Sequence, residues 1–230
     1  MPAHGPTILA DFRVKESDRQ NFETHWEKMA KFGSPTRTFL SRRLPGTQVL
    51  RRMYDDTAPL AISRLANALH GLMINPQTRW FALRTMDEPL NENDNVRAWL
   101  DDVVSRMLRL FASPEFGFNT QSHEALLDIV TFGTAGMILN EEPRKIRFQT
   151  RSLTELYLGE NESGQVDRVY RKFPLTPREA VQKFGAKAPR HAKENLNIPS
   201  KADGVFDTDD YLHAVFPRED ADVTKIDGAN

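Results

Sequence analysis

The sequence predicts an α+β protein in which several long amphipathic helices pack with a small, mainly antiparallel sheet. Two observations carry this. Apolar residues recur at helical spacing through residues 1–140, and after residue 141 the pattern changes to short β-prone runs split by polar turns. No internal repeat or low-complexity tract interrupts the chain, so residues 1–230 are expected to form one region with a mainly helical part (1–140) and a strand-rich part with short helices (141–230).

The elements follow in order. Glu16 to Phe32 reads as a first helix with Phe22, Trp26, Met29 and Phe32 as its stripe, ended by Gly33-Ser34-Pro35. A basic loop runs to Tyr54. In the next stretch, Asp55 to Arg84, Leu60, Ile62, Leu65, Leu69, Leu72 and Met73 fall mostly on one side of a helix, which predicts one buried face. Asp56 or Thr57 caps that helix, Pro59 suits its first turn, and Asn75-Pro76 stops it, after which Trp80, Phe81 and Leu83 anchor an extended segment.

Asn91 to Asn95 caps the clearest helix, which carries Val96, Trp99, Leu100, Val103, Val104, Met107, Leu108 and Phe111 and closes at Ser113-Pro114. Ser122 to Ala135 is apolar on most sides, with Leu126, Leu127, Ile129, Val130 and Phe132, and so belongs centrally. Gly133 and Gly136 then lead to an extended Met137-Ile138-Leu139. Ile146 to Thr150, Glu155 to Leu158 and Val166 to Phe173 read as strands of a meander, with a polar turn at Glu160 to Gly164. Thr176-Pro177-Arg178-Glu179 is a capping box that opens a short helix to Phe184. A further short helix within Ala188 to Asn197 and a last strand from Tyr211 to Phe216 complete the chain.

The 230 residues are 39% hydrophobic and 27% charged, a composition that can bury a core. Cysteine is absent, which removes disulfides and thiolate metal sites. The start lacks the basic and apolar blocks of a signal peptide, and Ala125 to Leu139 is too short and too interrupted to span a bilayer, so no membrane segment is expected.

The formal net charge of −1 hides an asymmetry. Lys28, Lys31, Arg37, Arg42, Arg43, Arg51 and Arg52 lie between Lys28 and Tyr54 with no acidic residue among them. Near the other end Asp203, Asp207, Asp209, Asp210, Glu219, Asp220, Asp222 and Asp227 face only Arg218 and Lys225. Such patches can mate between neighbouring copies, and the basic one can also bind phosphates.

Catalytic motifs fail one by one. No GxxxxGK[ST] or GxGxxG loop occurs, and Gly133-Thr134-Ala135-Gly136 follows a helix where a phosphate loop needs a strand. His4, His25, His70, His123, His191 and His213 have no metal-ligand spacing. Asp207-Thr208-Asp209-Asp210 begins like a calcium loop but lacks its Gly and terminal Glu, and no GxSxG elbow presents a serine. The adjacent pairs Asp101-Asp102 and Glu141-Glu142 point their carboxylates apart. The expectation is a non-enzyme with no cofactor and no metal.

Three blocks, in this order and spacing, resemble the portal, or head-to-tail connector, family of short-tailed bacteriophages. They are the helix, Asn-Pro turn and Trp-Phe pair of Asp55 to Leu83; HEALLDIVTFGTAGMIL from His123 to Leu139; and Leu153 to Gly185 with VDRVYRKF and a helix ending in KFG. Gly117-Phe118-Asn119 departs from the family's more aromatic approach to the buried helix. The resemblance implies a structural subunit of a twelve-membered ring at a capsid vertex, which contacts capsid, terminase packaging motor and tail proteins and passes double-stranded DNA. It further implies a virion location after assembly in the host cytoplasm. Family members extend further, so the chain is expected to be the N-terminal wing region only, an incomplete wing-like fold. On this reading Arg37, Arg42, Arg43, Arg51 and Arg52 make subunit or capsid contacts. The alternative is a nucleic-acid-binding module using Lys28 to Tyr54, whose affinity would fall steeply with salt.

Overall fold

The computed structural model describes residues 5–34, 55–75, 77–142, 145–197 and 208–217. It is an α+β structure with two small antiparallel sheets. The chain forms two compact units, one from Met1–Gln20 with Glu155–Asn230 and one from Asn21–Thr154. Helix α1 (Gly5–Gly33) contributes its first part to the former and its second part to the latter. It begins about three turns before the expected Glu16, because its early residues turn only Ile8 and Phe12 onto the sheet as apolar contacts and are otherwise held by ion pairs, too short an apolar pattern to mark a helix.

In the unit Asn21–Thr154 the helices are the end of α1, α2 (Thr57–Met73), α3 (Glu88–Glu92), α4 (Asp94–Ala112) and α5 (Phe118–Phe132). The expected cap of α2 shifts by one residue. Asp55 accepts from the Thr57 N–H at 3.0 Å and from its hydroxyl at 2.6 Å, whereas Asp56 makes no side-chain cap; these bonds hold the Asp55 carboxyl below its ordinary pKa. Asn93 caps α4 by accepting from the Asn95 N–H. Helix α5 starts one turn before the expected Ser122, at left-handed Gly117, and ends at Gly133 (φ 84°), where glycine supplies the positive φ that terminates it. As expected it is the hub: α2, α4 and both strands of the adjoining hairpin pack on it.

That hairpin corrects the expected meander. Strand β2 (Lys145–Arg151) pairs with β1 (Gly136–Glu142), from Gly136 opposite Arg151 to Glu142 opposite Lys145. The strands that follow belong to the other sheet. Strand β2 therefore turns its outer edge to α5. The Phe148 N–H donates to the Phe116 carbonyl, and Gln121 accepts from the Thr150 N–H at 2.6 Å and, through its carbonyl, from the Thr150 hydroxyl.

In the other unit the sheet order is β3 (Leu156–Glu160), β4 (Val166–Leu175), β5 (Asp209–Val215), all antiparallel. The register sets Tyr157 opposite Tyr170 and Tyr170 opposite Ala214, and these residues with Leu212 face α1. There Phe12 packs edge-on against Tyr157 (4.9 Å) and Tyr170 (5.9 Å). Asp11 accepts two bonds of 3.1 Å from Arg168 and one from the Tyr170 hydroxyl, while Lys172 bonds Glu16 at 3.0 Å. Arg19 donates to the Leu156 carbonyl at 2.7 Å and lies over the Tyr157 ring. Burial and Asp11 raise the Tyr170 phenol to about 12.

On the opposite face, Phe173 sits under Arg171 and Lys183, and Phe184 of α6 (Pro177–Phe184) stacks on Tyr211. The capping box is formed as expected, with Thr176 and Glu179 exchanging bonds, and Glu179 is held below its ordinary pKa by them. Helix α7 (Arg190–Glu194) occupies the last predicted helical stretch.

Two predictions follow from the second sheet. Replacing Asp11 with Asn leaves Arg168 with Asp167 as its remaining carboxylate, at 3.3 Å; it is expected to cost roughly 1 kcal/mol in chemical denaturation, since the pair is partly solvated. Tyr170 should then titrate below about 12 in an absorbance titration. Burial first, then Lys183 and Arg171, push His213 below its ordinary 6.5. The unfolded chain therefore protonates before the folded one as pH falls. Stability should be level above 6.5 and decline below it, and His213→Gln should reduce that decline in urea melts at neutral pH and about pH 5.5.

Candidate assembly surface

Within Asn21–Thr154 the segment after α2 is fixed by a turn and an aromatic cluster. Helix α2 ends where Ile74 donates to the His70 carbonyl, and Asn75 accepts from the Gln77 N–H at 2.9 Å, an Asx turn that redirects the chain. Arg79 then reaches α4, bonding the Asp101 carbonyl at 3.2 Å and lying 3.4 Å from its carboxylate. Trp80 is thereby set among Phe81 (4.7 Å), Phe111 (6.0 Å) and Phe118 (6.2 Å, rings parallel). Phe118 in turn contacts Phe111 and Phe148. The expected aromatic anchor is in place, and Phe118, in the stretch that departs from the family pattern, is part of it. A cavity of about 20 Å³ remains between Trp80, Leu108, Phe111 and Phe118, room for a water molecule and no ligand.

Beside this cluster lies an open groove of about 790 Å³. Leu72 and Met73 of α2, Trp80, Leu126 and Ile129 of α5, and Met137 of β1 line it. Its polar atoms are few, and the Ser122 hydroxyl is already committed to the Phe118 carbonyl at 2.7 Å. The expected buried face of α2 is only partly covered: Ile62 and Leu69 are half-buried where the helix packs on α5. Only Ala66 of α2 is buried; Leu60, Leu65 and Met73 are about half exposed, and Leu72 is 82% exposed. The same holds for Trp99, predicted as part of the α4 stripe and 64% exposed, because it lies ~140° around the helix from the buried Val104. The α1 stripe is likewise open, with Phe22 58% and Phe32 61% exposed. Helical period identified apolar faces correctly and said nothing of what covers them.

The polar candidates separate. Asp101 pairs with Arg79, and Asp102 pairs with Arg106 at 2.8 Å, so the adjacent carboxylates diverge as expected. His123 Nε2 is 2.7 Å from Asn67 Oδ1, His70 meets His123 edge-on, and His191 pairs with Asp209 at 2.9 Å. Among the described residues no three His, Asp or Glu could hold a metal ion, and no helix is long and apolar enough to cross a membrane. Arg37, Arg42, Arg43, Arg51 and Arg52 lie outside the described residues, as do Asp203, Asp207, Glu219, Asp220, Asp222 and Asp227; of the basic stretch, Lys28 and Lys31 are exposed on α1.

A profile of the family described as bacteriophage head to tail connecting protein matches residues 6–230. The probable portal protein of Bordetella phage BPP-1 is 29% identical over 231 residues, covering 97% of this chain and 40% of that protein. The portal protein of Salmonella phage epsilon15 is 26% identical over 232 residues, again 97% of this chain and 40% of its own length. The chain thus spans about 40% of the length of these curated relatives.

Because Trp80 is the keystone of the aromatic cluster, Trp80→Ala is expected to cost roughly 2–3 kcal/mol in chemical denaturation, the low end for a large aromatic since the side chain is half-buried. Leu72→Ser, on a side chain 82% exposed, should stay within about 0.5 kcal/mol of the parent.

Proposed function

This chain belongs to the bacteriophage head-to-tail connecting protein family, and on that premise we propose that it is the wing region of a portal subunit, a structural part of the ring at a capsid vertex. Copies of the whole subunit encircle the channel through which double-stranded DNA is packaged and ejected, and they bind capsid, packaging motor and tail proteins. Assembly takes place in the host cytoplasm and the finished ring resides in the virion.

The observation that carries this reading is the match from residue 6 to residue 230, which takes in both compact units. The exposed apolar faces of α1, α2 and α4 support it, since a solitary protein gains nothing from them and an assembly part needs them. A net charge of −1 suits a ring past which a duplex must slide, because tight phosphate contacts would hold the DNA in place. Arg37, Arg42, Arg43, Arg51 and Arg52 then serve subunit or capsid contacts.

Electron microscopy of the full-length subunit tests the reading: rings, twelve-fold in top view, are the expected result, and particles without rotational symmetry would overturn it. Reversing the charge of Arg42 and Arg43 should reduce ring yield. Unchanged yield, combined with tight duplex binding that collapses between low and moderate salt in a filter assay, would instead favour a nucleic-acid module.

A further inference from the structure

The hairpin of β1 and β2 has one closed edge and one open edge. The Phe148 N–H donates to the Phe116 carbonyl and the Thr150 N–H to Gln121, so the backbone groups of these two residues point away from β1. Antiparallel pairing fixes the rest. Leu139 and Met137 stand opposite them and point their own N–H and C=O away from β2, and Glu141 does the same two residues on. None of these backbone groups meets a hydrogen-bond partner among the described residues. We propose that β1 accepts a third strand along this edge, supplied by the part of the same subunit that lies outside the matched region. The proposal rests on the portal reading, under which the subunit is longer than this chain.

Backbone groups that alternate along an extended edge match one kind of partner, another extended segment whose N–H and C=O repeat at the same spacing. Edges that stay open in a finished protein are usually guarded by charge, Pro or a bulge. The other sheet has such guards: Arg19 takes the Leu156 carbonyl of β3, and β5 opens with Asp209-Asp210. Strand β1 carries Met137-Ile138-Leu139 instead, with Leu139 58% exposed, and its register with β2 runs unbroken from Gly136 to Glu142. Its charges come only at the end, in Glu141 and Glu142.

Length points to the source. The two relatives match 97% of this chain with 40% of their own residues, so most of their length lies outside the match and is tethered to this edge. A tethered strand meets the edge intramolecularly, at an effective concentration that a separate protein lacks. The edge also sets the strand's chemistry. Side chains that share the face of Met137 and Leu139 should be apolar, because Met137 lines the groove with Ile129, and the residue beside Glu141 should be Lys or Arg.

Amide hydrogen exchange tests this on the chain, on the full-length subunit kept dilute and monomeric, and on its assembled form. In the chain, Met137, Leu139 and Glu141 should exchange at least about tenfold faster than Ile138 and Asn140, whose N–H groups bond β2. In the monomeric full-length subunit the same three amides should slow by about tenfold or more, the factor that one hydrogen bond supplies. Leu139→Pro removes a donor that β2 never uses. The chain should therefore keep its urea midpoint, while the full-length subunit loses its protection at Met137 and Glu141. Fast exchange in every full-length form overturns the proposal. Protection that appears only on assembly overturns it too, and assigns the strand to a neighbouring subunit. Rings in the microscope beside unprotected amides would leave the portal reading standing without this strand, whereas protection without rings would leave the strand standing and count against the ring.

Discussion

A helix buried along most of its circumference has to satisfy every polar group from within the protein, and α5 shows how the unit Asn21–Thr154 meets that demand. Ser122 and Thr131 turn their hydroxyls back onto the carbonyls of Phe118 and Leu127, each at 2.7 Å, so two buried polar side chains need no outside partner. Gln121 spends its amide and its backbone carbonyl on Thr150, which fastens β2 along the helix. Once β2 is fixed, Phe148 meets Phe118 and Phe111, and the Trp80 segment closes over them. The groove is a consequence: α5, the end of α2, the Trp80 turn and Met137 line it where nothing else covers them.

The other unit solves a different problem, because its helix face has little apolar area. On β4 the residues Arg168, Tyr170 and Lys172 share one face of the sheet, and the first part of α1 answers them with Asp11, Phe12 and Glu16. One aromatic trio supplies the apolar contact, and charged hydrogen bonds fix how the helix lies across the strands. Partly solvated ion pairs of this kind contribute modest stability and strong orientation. Tyr170 links the two, since its ring belongs to the apolar trio and its hydroxyl to the Asp11 cluster.

This contrast explains what could be read from the sequence. Helices α2, α4 and α5 announce themselves by period, the capping box at Thr176 by its residues, and the Trp80-Phe81 pair by its bulk. The first part of α1 was illegible because Asp11 and Glu16 find partners more than 150 residues away, and no local pattern encodes such pairing. Strand pairing failed for a related reason: Ile146 to Thr150 looks equally suited to the strand before it or the strand after it, and the choice is made by α5, which claims the outer edge of β2. The basic candidates Arg37 to Arg52 remain outside the described residues, whereas the groove, which no motif marks, emerged only from exposure at Leu72 and Met73.

An apolar stripe predicts burial, yet it does not say whether the burying surface is in the same copy. Soluble monomers seldom leave contiguous apolar faces open, since these invite indiscriminate association. Two dissimilar faces on one chain add a stricter condition, because a head-to-tail contact closes into a ring at one set of rotations and runs on into a filament at others. Apolar contact alone is indifferent to that rotation. Direction must come from polar groups that fix how one apolar face lies on another, and such groups contribute little affinity of their own. Apolar burial and polar orientation are thus separate tasks, as Phe12 and Asp11 show where they set α1 on its sheet.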